Sequence, residues 1–85
     1  MDMALVKNIH KEVGFIFYDL RVKNGYSLNA LARELGLSPP SISHKEKGSY
    51  RITLSDILLY ASFFSLHPSD ILSIAEQRAL ARSTQ

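Results

Sequence analysis

LNALARELGLSPPSISHKEKG, residues 28–48, holds two unlike halves around one glycine. In the first half Leu28, Leu31, Ala32 and Leu35 recur at the spacing of one helix face. Ser27, just before it, suits a cap whose hydroxyl satisfies an orphan amide. Gly36 closes the element. The second half has almost none of the alanine, glutamate and leucine of an ordinary surface helix. Ser38 is nonetheless a natural cap, and Pro39 fits the first helical position, where its missing N–H would be unpaired anyway. Pro40 is tolerated at the second position for the same reason. The prolines therefore permit a helix and fix where it begins. Around Ile42 its side chains are Ser41, Ser43, His44, Lys45 and Lys47, which suit a helix that touches something outside the protein.

Outward from this stretch, the chain reads as helices throughout. Leu5, Ile9, Val13, Ile16, Phe17 and Leu20 predict a helix over about 4–23, stopped by Asn24-Gly25. Phe15, Tyr18 and Val22 draw a second apolar line beside the first, so this helix is expected to bury against more than its own domain. After Gly48-Ser49, Thr53 with Asp56 three residues on has the form of a capping box. The helix that follows contains Leu54, Ile57, Leu58, Ala61 and Phe64. His67-Pro68-Ser69-Asp70 starts a fifth helix, with Asp70 favoured by the helix dipole, and its apolar residues continue to about Arg82. No strand pattern, internal repeat or linker interrupts the chain. The expectation is one all-α domain of five helices over residues 1–85.

Composition narrows the function classes. Eighty-five residues suffice for one modest core, and 46% hydrophobic with 21% charged residues is the make-up of a globular chain. The absence of cysteine removes disulfides and thiolate zinc sites, in keeping with a reducing cytoplasm. No apolar run reaches the span of a bilayer, and MDMALVKNIHKEVGF interleaves acids and bases instead of forming a signal peptide. A cytoplasmic protein with no membrane partner is expected. The net charge of +2 is uneven: residues 38–51 carry Lys45, Lys47 and Arg51 against Glu46 alone. A local basic face suits a polyanion. His10, His44 and His67 are too scattered for a metal site. No nucleophile elbow surrounds Ser27, Ser38, Ser41 or Ser43, and no glycine loop cradles phosphate. Neither an enzyme nor a cofactor or metal is expected.

The wider pattern carries a resemblance. Gly14, Leu20-Arg21, Gly25, Ser27, Leu31-Ala32, Gly36, Ile42-Ser43, Glu46, Gly48, Leu54, Ile57, Ala61 and Pro68-Ser69-Asp70 resemble the lambda-repressor-like, Cro-type (XRE-like) helix-turn-helix family over about residues 13–72, leaving helical extensions at both ends. The resemblance implies a five-helix DNA-binding domain whose third helix enters the major groove while the second lies across the backbone. It implies direct readout by Ser41, Ser43 and His44, joined by Lys47. Pro39 and Pro40 stand where relatives often carry polar base-readers; a proline ring has no donor there but can touch a thymine methyl. Arg51 is a phosphate contact by position, and Ser27 and Ser38 present hydroxyls to the backbone. Leu28 replaces a glutamine that bonds phosphate in many relatives, so that contact is absent. Lys45 replaces a core hydrophobe; its stem is expected to cover core while its charge reaches solvent or phosphate. Arg33 is read either as a phosphate contact or as a solvating residue. Arg21 and Glu46 match an arginine–glutamate pair that anchors the reading helix.

The expected function is a sequence-specific transcriptional regulator, a repressor of bacterial, phage or mobile-element origin, acting as a homodimer on a near-palindromic operator. A chain of this length is expected to lack a ligand-sensing domain. Ile71, Ala75 and Ala79 recur every four residues beside Ile74, an arc too broad for one small core, and Phe63 adds apolar area nearby. These five residues are the expected dimer interface. The alternative is an antitoxin or protein-interaction module that neutralises a protein partner and binds DNA secondarily.

Overall fold

The structure is a computed structural model, and it describes residues 1–49 and 51–83. Its elements are five helices: α1 (Met3–Lys23), α2 (Leu28–Leu35), α3 (Pro39–Glu46), α4 (Leu54–Phe63) and α5 (Pro68–Ser83). Among the described residues there is no strand. Each of the first four starts where a polar side chain takes an orphan amide. Asp2 accepts from the Leu5 N–H, Ser27 from Ala30, Ser38 from Ser41 and Thr53 from Asp56. At Thr53 the box is reciprocal, since the Asp56 carboxylate accepts from the Thr53 N–H at 2.9 Å. Gly36 ends α2 at φ 68°, a left-handed conformation that costs glycine nothing.

One core joins all five helices. Phe17, Leu31, Ile42 and Tyr60 are sealed from solvent at its centre, and the Phe17 and Tyr60 rings stack in parallel with centroids 3.7 Å apart. Ile57 and Ala61 bring in α4, while Ile71 and Ala75 bring in α5.

The apolar stripe of α5 overturns one expectation. Ile71, Ala75 and Ala79 are 2%, 0% and 0% exposed, because α5 packs within the chain, chiefly along α1 and also on α4. The core is not too small for this arc. At 21 residues α1 is long enough to line most of α5, and the alanines let its own backbone, not a second chain's, approach closely. Phe63 is likewise engaged within the chain, edge-on to Tyr26 at 5.5 Å and to Phe64 at 5.0 Å. Of the five residues expected between protomers, Ile74 alone stays exposed. A buried Glu12 also ties α1 to α5, its carboxylate 2.8 Å from the Arg82 guanidinium.

Candidate nucleic-acid interface

α2, the Gly36 turn and α3 form a helix-turn-helix. Ala32 is 2% exposed at the crossing, the Leu37 N–H reaches back to the Ala32 carbonyl at 2.9 Å, and Ile42 is fully buried. With Ile42 and Glu46 inward, residues four and seven positions along from Pro40 must share the outward face. Pro40, His44 and Lys47 are indeed all exposed, with Ser43 half-buried at their flank.

Three devices hold that face in place. Arg21 donates from Nε and Nη2 to the two carboxylate oxygens of Glu46 at 2.6 and 3.0 Å, and from Nη1 to the Tyr26 carbonyl at 3.0 Å. One guanidinium thus joins the end of α1, the entry to α2 and the end of α3. The Glu46 hydrogen bonds raise the Arg21 pKa above its usual value, against the opposing cost of burial. A second device is Gly14, where a Cβ would stand 2.5 Å from the Lys45 carbonyl oxygen and 2.8 Å from the Gly48 nitrogen. α1 crosses the end of α3 backbone to backbone, and no other residue fits there.

The third device corrects the reading of Lys45. Its ammonium lies 3.1 Å from the Ser41 hydroxyl and 3.5 Å from Asp56 on α4, and the side chain is 17% exposed. The side chain is mostly buried, and the charge is turned to Asp56, away from solvent. Asp56 therefore caps α4 and draws in α3 with the same carboxylate. Ser41, expected to read a base, is half-buried and its hydroxyl accepts from Lys45, so it positions the helix. Sequence reasoning gave Asp56 only its cap. The signal available was a lysine on the inward side of α3, a charge that needs a partner.

Flanking the outward face, Arg51 is exposed beyond α3, and its own N–H donates to the Ser49 hydroxyl at 3.1 Å. Ser27 and Ser38 are exposed at the starts of α2 and α3, each accepting a capping bond at 3.0 and 3.2 Å. Pro39 is half-buried and Arg33 exposed. Among the described residues no three histidines or carboxylates gather as metal ligands. The side chains brought to one surface are thus Pro40, Ser43, His44, Lys47 and Arg51, beside Ser27 and Ser38: hydroxyls, an imidazole and two cations, a set suited to base edges and phosphates.

The comparisons with known proteins agree with this geometry. The helix-turn-helix family model matches residues 17–71, well over half of the chain. No curated protein and no solved structure matches it. The match begins at Phe17 in the core of α1, takes in the whole α2–turn–α3 unit and ends at Ile71 on α5. By that match and this geometry, the chain belongs to the lambda-repressor-like helix-turn-helix family of regulators that bind double-stranded DNA.

Proposed function

We propose that this chain is a sequence-specific transcriptional regulator, a repressor that lays the outward face of α3 in the major groove of a near-palindromic operator. The observation that carries this reading is the contrast between the two sides of α3. One side is fixed by Ile42, Glu46 and Lys45 through α1 and α4. The other leaves Pro40, His44 and Lys47 exposed with no structural task evident. His44 and Ser43 would meet base edges. Lys47 and Arg51 would meet phosphates, and so would the Ser27 end of α2, whose first amides point out of the helix.

Single domains of this size make few contacts, and two copies a helical turn apart would double them. With the α5 stripe inside the chain, the exposed apolar residues that α5 leaves for a second copy are Leu72 and Leu80 on one flank of the stripe and Ile74 on the other. Sedimentation of the full chain at micromolar concentration checks this, and a monomer there would contradict the homodimer.

A second reading keeps its own support. Phe15, Tyr18 and Val22 are 37%, 48% and 48% exposed along one side of α1, a stripe that suits a protein partner. An antitoxin-like module would use it. A gel shift on the DNA upstream of the protein's own gene, run over a series of salt concentrations, separates the two. The proposed regulator retards that fragment, and binding weakens as salt rises. A chain that shifts no duplex at low salt is not the proposed regulator.

A further inference from the structure

The leading end of α3 presents no free backbone N–H. Helix starts ordinarily offer three or four unpaired amides to whatever lies ahead of them. Here the first two positions are Pro39 and Pro40, which have none. The next amide, Ser41, donates to the Ser38 hydroxyl at 3.2 Å, and the Ile42 amide donates to the Ser38 carbonyl at 3.2 Å. Apart from the Ser38 hydroxyl at the cap, the end of the helix that comes first to the base edges is therefore carbon.

The two prolines divide the work. Pro39 is half-buried at the first helical position, where it starts the helix and packs on it. Pro40, at the second position, is exposed. In the major groove a donorless ring costs affinity opposite any base edge that wants a partner. The thymine C5 methyl group is the exception.

We infer that Pro40 reads a thymine methyl, so that each half-site carries one thymine whose value lies in that methyl group. The inference rests on the proposed DNA-binding reading. His44 lies one turn further on, about 6 Å along the axis at roughly 1.5 Å per residue. The polar contact it makes falls about two base pairs from the thymine, at a spacing of roughly 3.4 Å per pair. The half-site thus has an apolar feature and a polar one in fixed order, set by Pro40 and His44.

Replacing thymine by deoxyuridine removes the methyl and nothing else. The preferred site is first selected from a random duplex pool with the full chain, and each thymine in it is then replaced singly. One thymine per half-site should lower affinity about fourfold, the worth of one buried methyl group. With Pro40→Gly, which leaves no β-carbon to meet the methyl, the same replacement should change nothing, while preference at the base pair under His44 stays. A selected site in which every thymine tolerates the replacement overturns the methyl reading and leaves the regulator reading standing. Sensitivity that persists in Pro40→Gly overturns the assignment to Pro40. A pool that yields no enriched sequence sinks the proposed function, and this inference with it.

Discussion

Arg21 makes three hydrogen bonds to two partners, and its removal separates what a buried pair contributes from what its loss costs. Glu46 is 9% exposed, so Arg21→Ala leaves a carboxylate buried with no cation. The expected loss is roughly 3–5 kcal/mol in denaturant unfolding, and a loss below about 1 kcal/mol would show that the pair does not anchor α3. Tyr60 is the opposite case. Its hydroxyl is buried without a hydrogen-bond partner among the described residues, and burial, aided by Glu46 and Asp56, raises its pKa well above the usual tyrosine value. In the unfolded chain that phenol ionises near pH 10, while in the folded chain it stays protonated. Above about pH 10 the unfolded state therefore binds fewer protons, and Tyr60 makes stability fall as pH rises; below that its contribution is complete. Tyr60→Phe should unfold no more readily at pH 7 and should show a shallower fall above pH 10. A large loss at pH 7 would reveal a partner for the hydroxyl.

At the scale of elements, α3 depends on what crosses it. A methyl group at residue 14 would meet backbone atoms of residues 45 and 48, which cannot move aside like a flexible side chain. Gly14→Ala should destabilise the fold by about 1–3 kcal/mol. It should also weaken DNA binding by tilting α3, and both effects are read by melting and gel shift on one preparation. The cations in and just after α3 divide by direction. Lys47→Ala and Arg51→Ala should each weaken binding to any sequence and lower its salt slope by about one, as loss of a phosphate contact does. Lys45→Met, whose charge is turned to Asp56, should leave that slope unchanged. Most helix starts were legible because Ser27, Ser38 and Thr53 are caps whose chemistry is local. The inward turn of Lys45 was not, since it depends on where α4 places Asp56. The turn after α4 was marked only by the next helix start at His67-Pro68, because the left-handed position there is Ser65, at φ 58°, with no glycine.

For the whole molecule, the position of α5 decides what the chain is apart from its DNA site. Periodicity showed that Ile71, Ala75 and Ala79 share a face, but not which surface covers it. That depends on the length of α1 and on its angle to α5, which no local pattern encodes. With α5 on α1, a chain ending at Leu72 loses the buried Ala75 and Ala79 from the packed interface and leaves Glu12 of α1 without its Arg82 partner. It should therefore fail to fold, with no cooperative thermal transition in circular dichroism, instead of folding as a monomer. The arrangement also sets two surfaces apart: the outward face of α3, and the Phe15, Tyr18 and Val22 side of α1. The account assigns DNA to the first. Its most direct test is a titration of the isotope-labelled chain with the duplex selected from a random pool, followed through backbone amide shifts. The account predicts that the largest shifts gather at Ser43, His44, Lys47, Arg51 and Ser27. Shifts that gather along Phe15, Tyr18 and Val22 while α3 stays unmoved would contradict it.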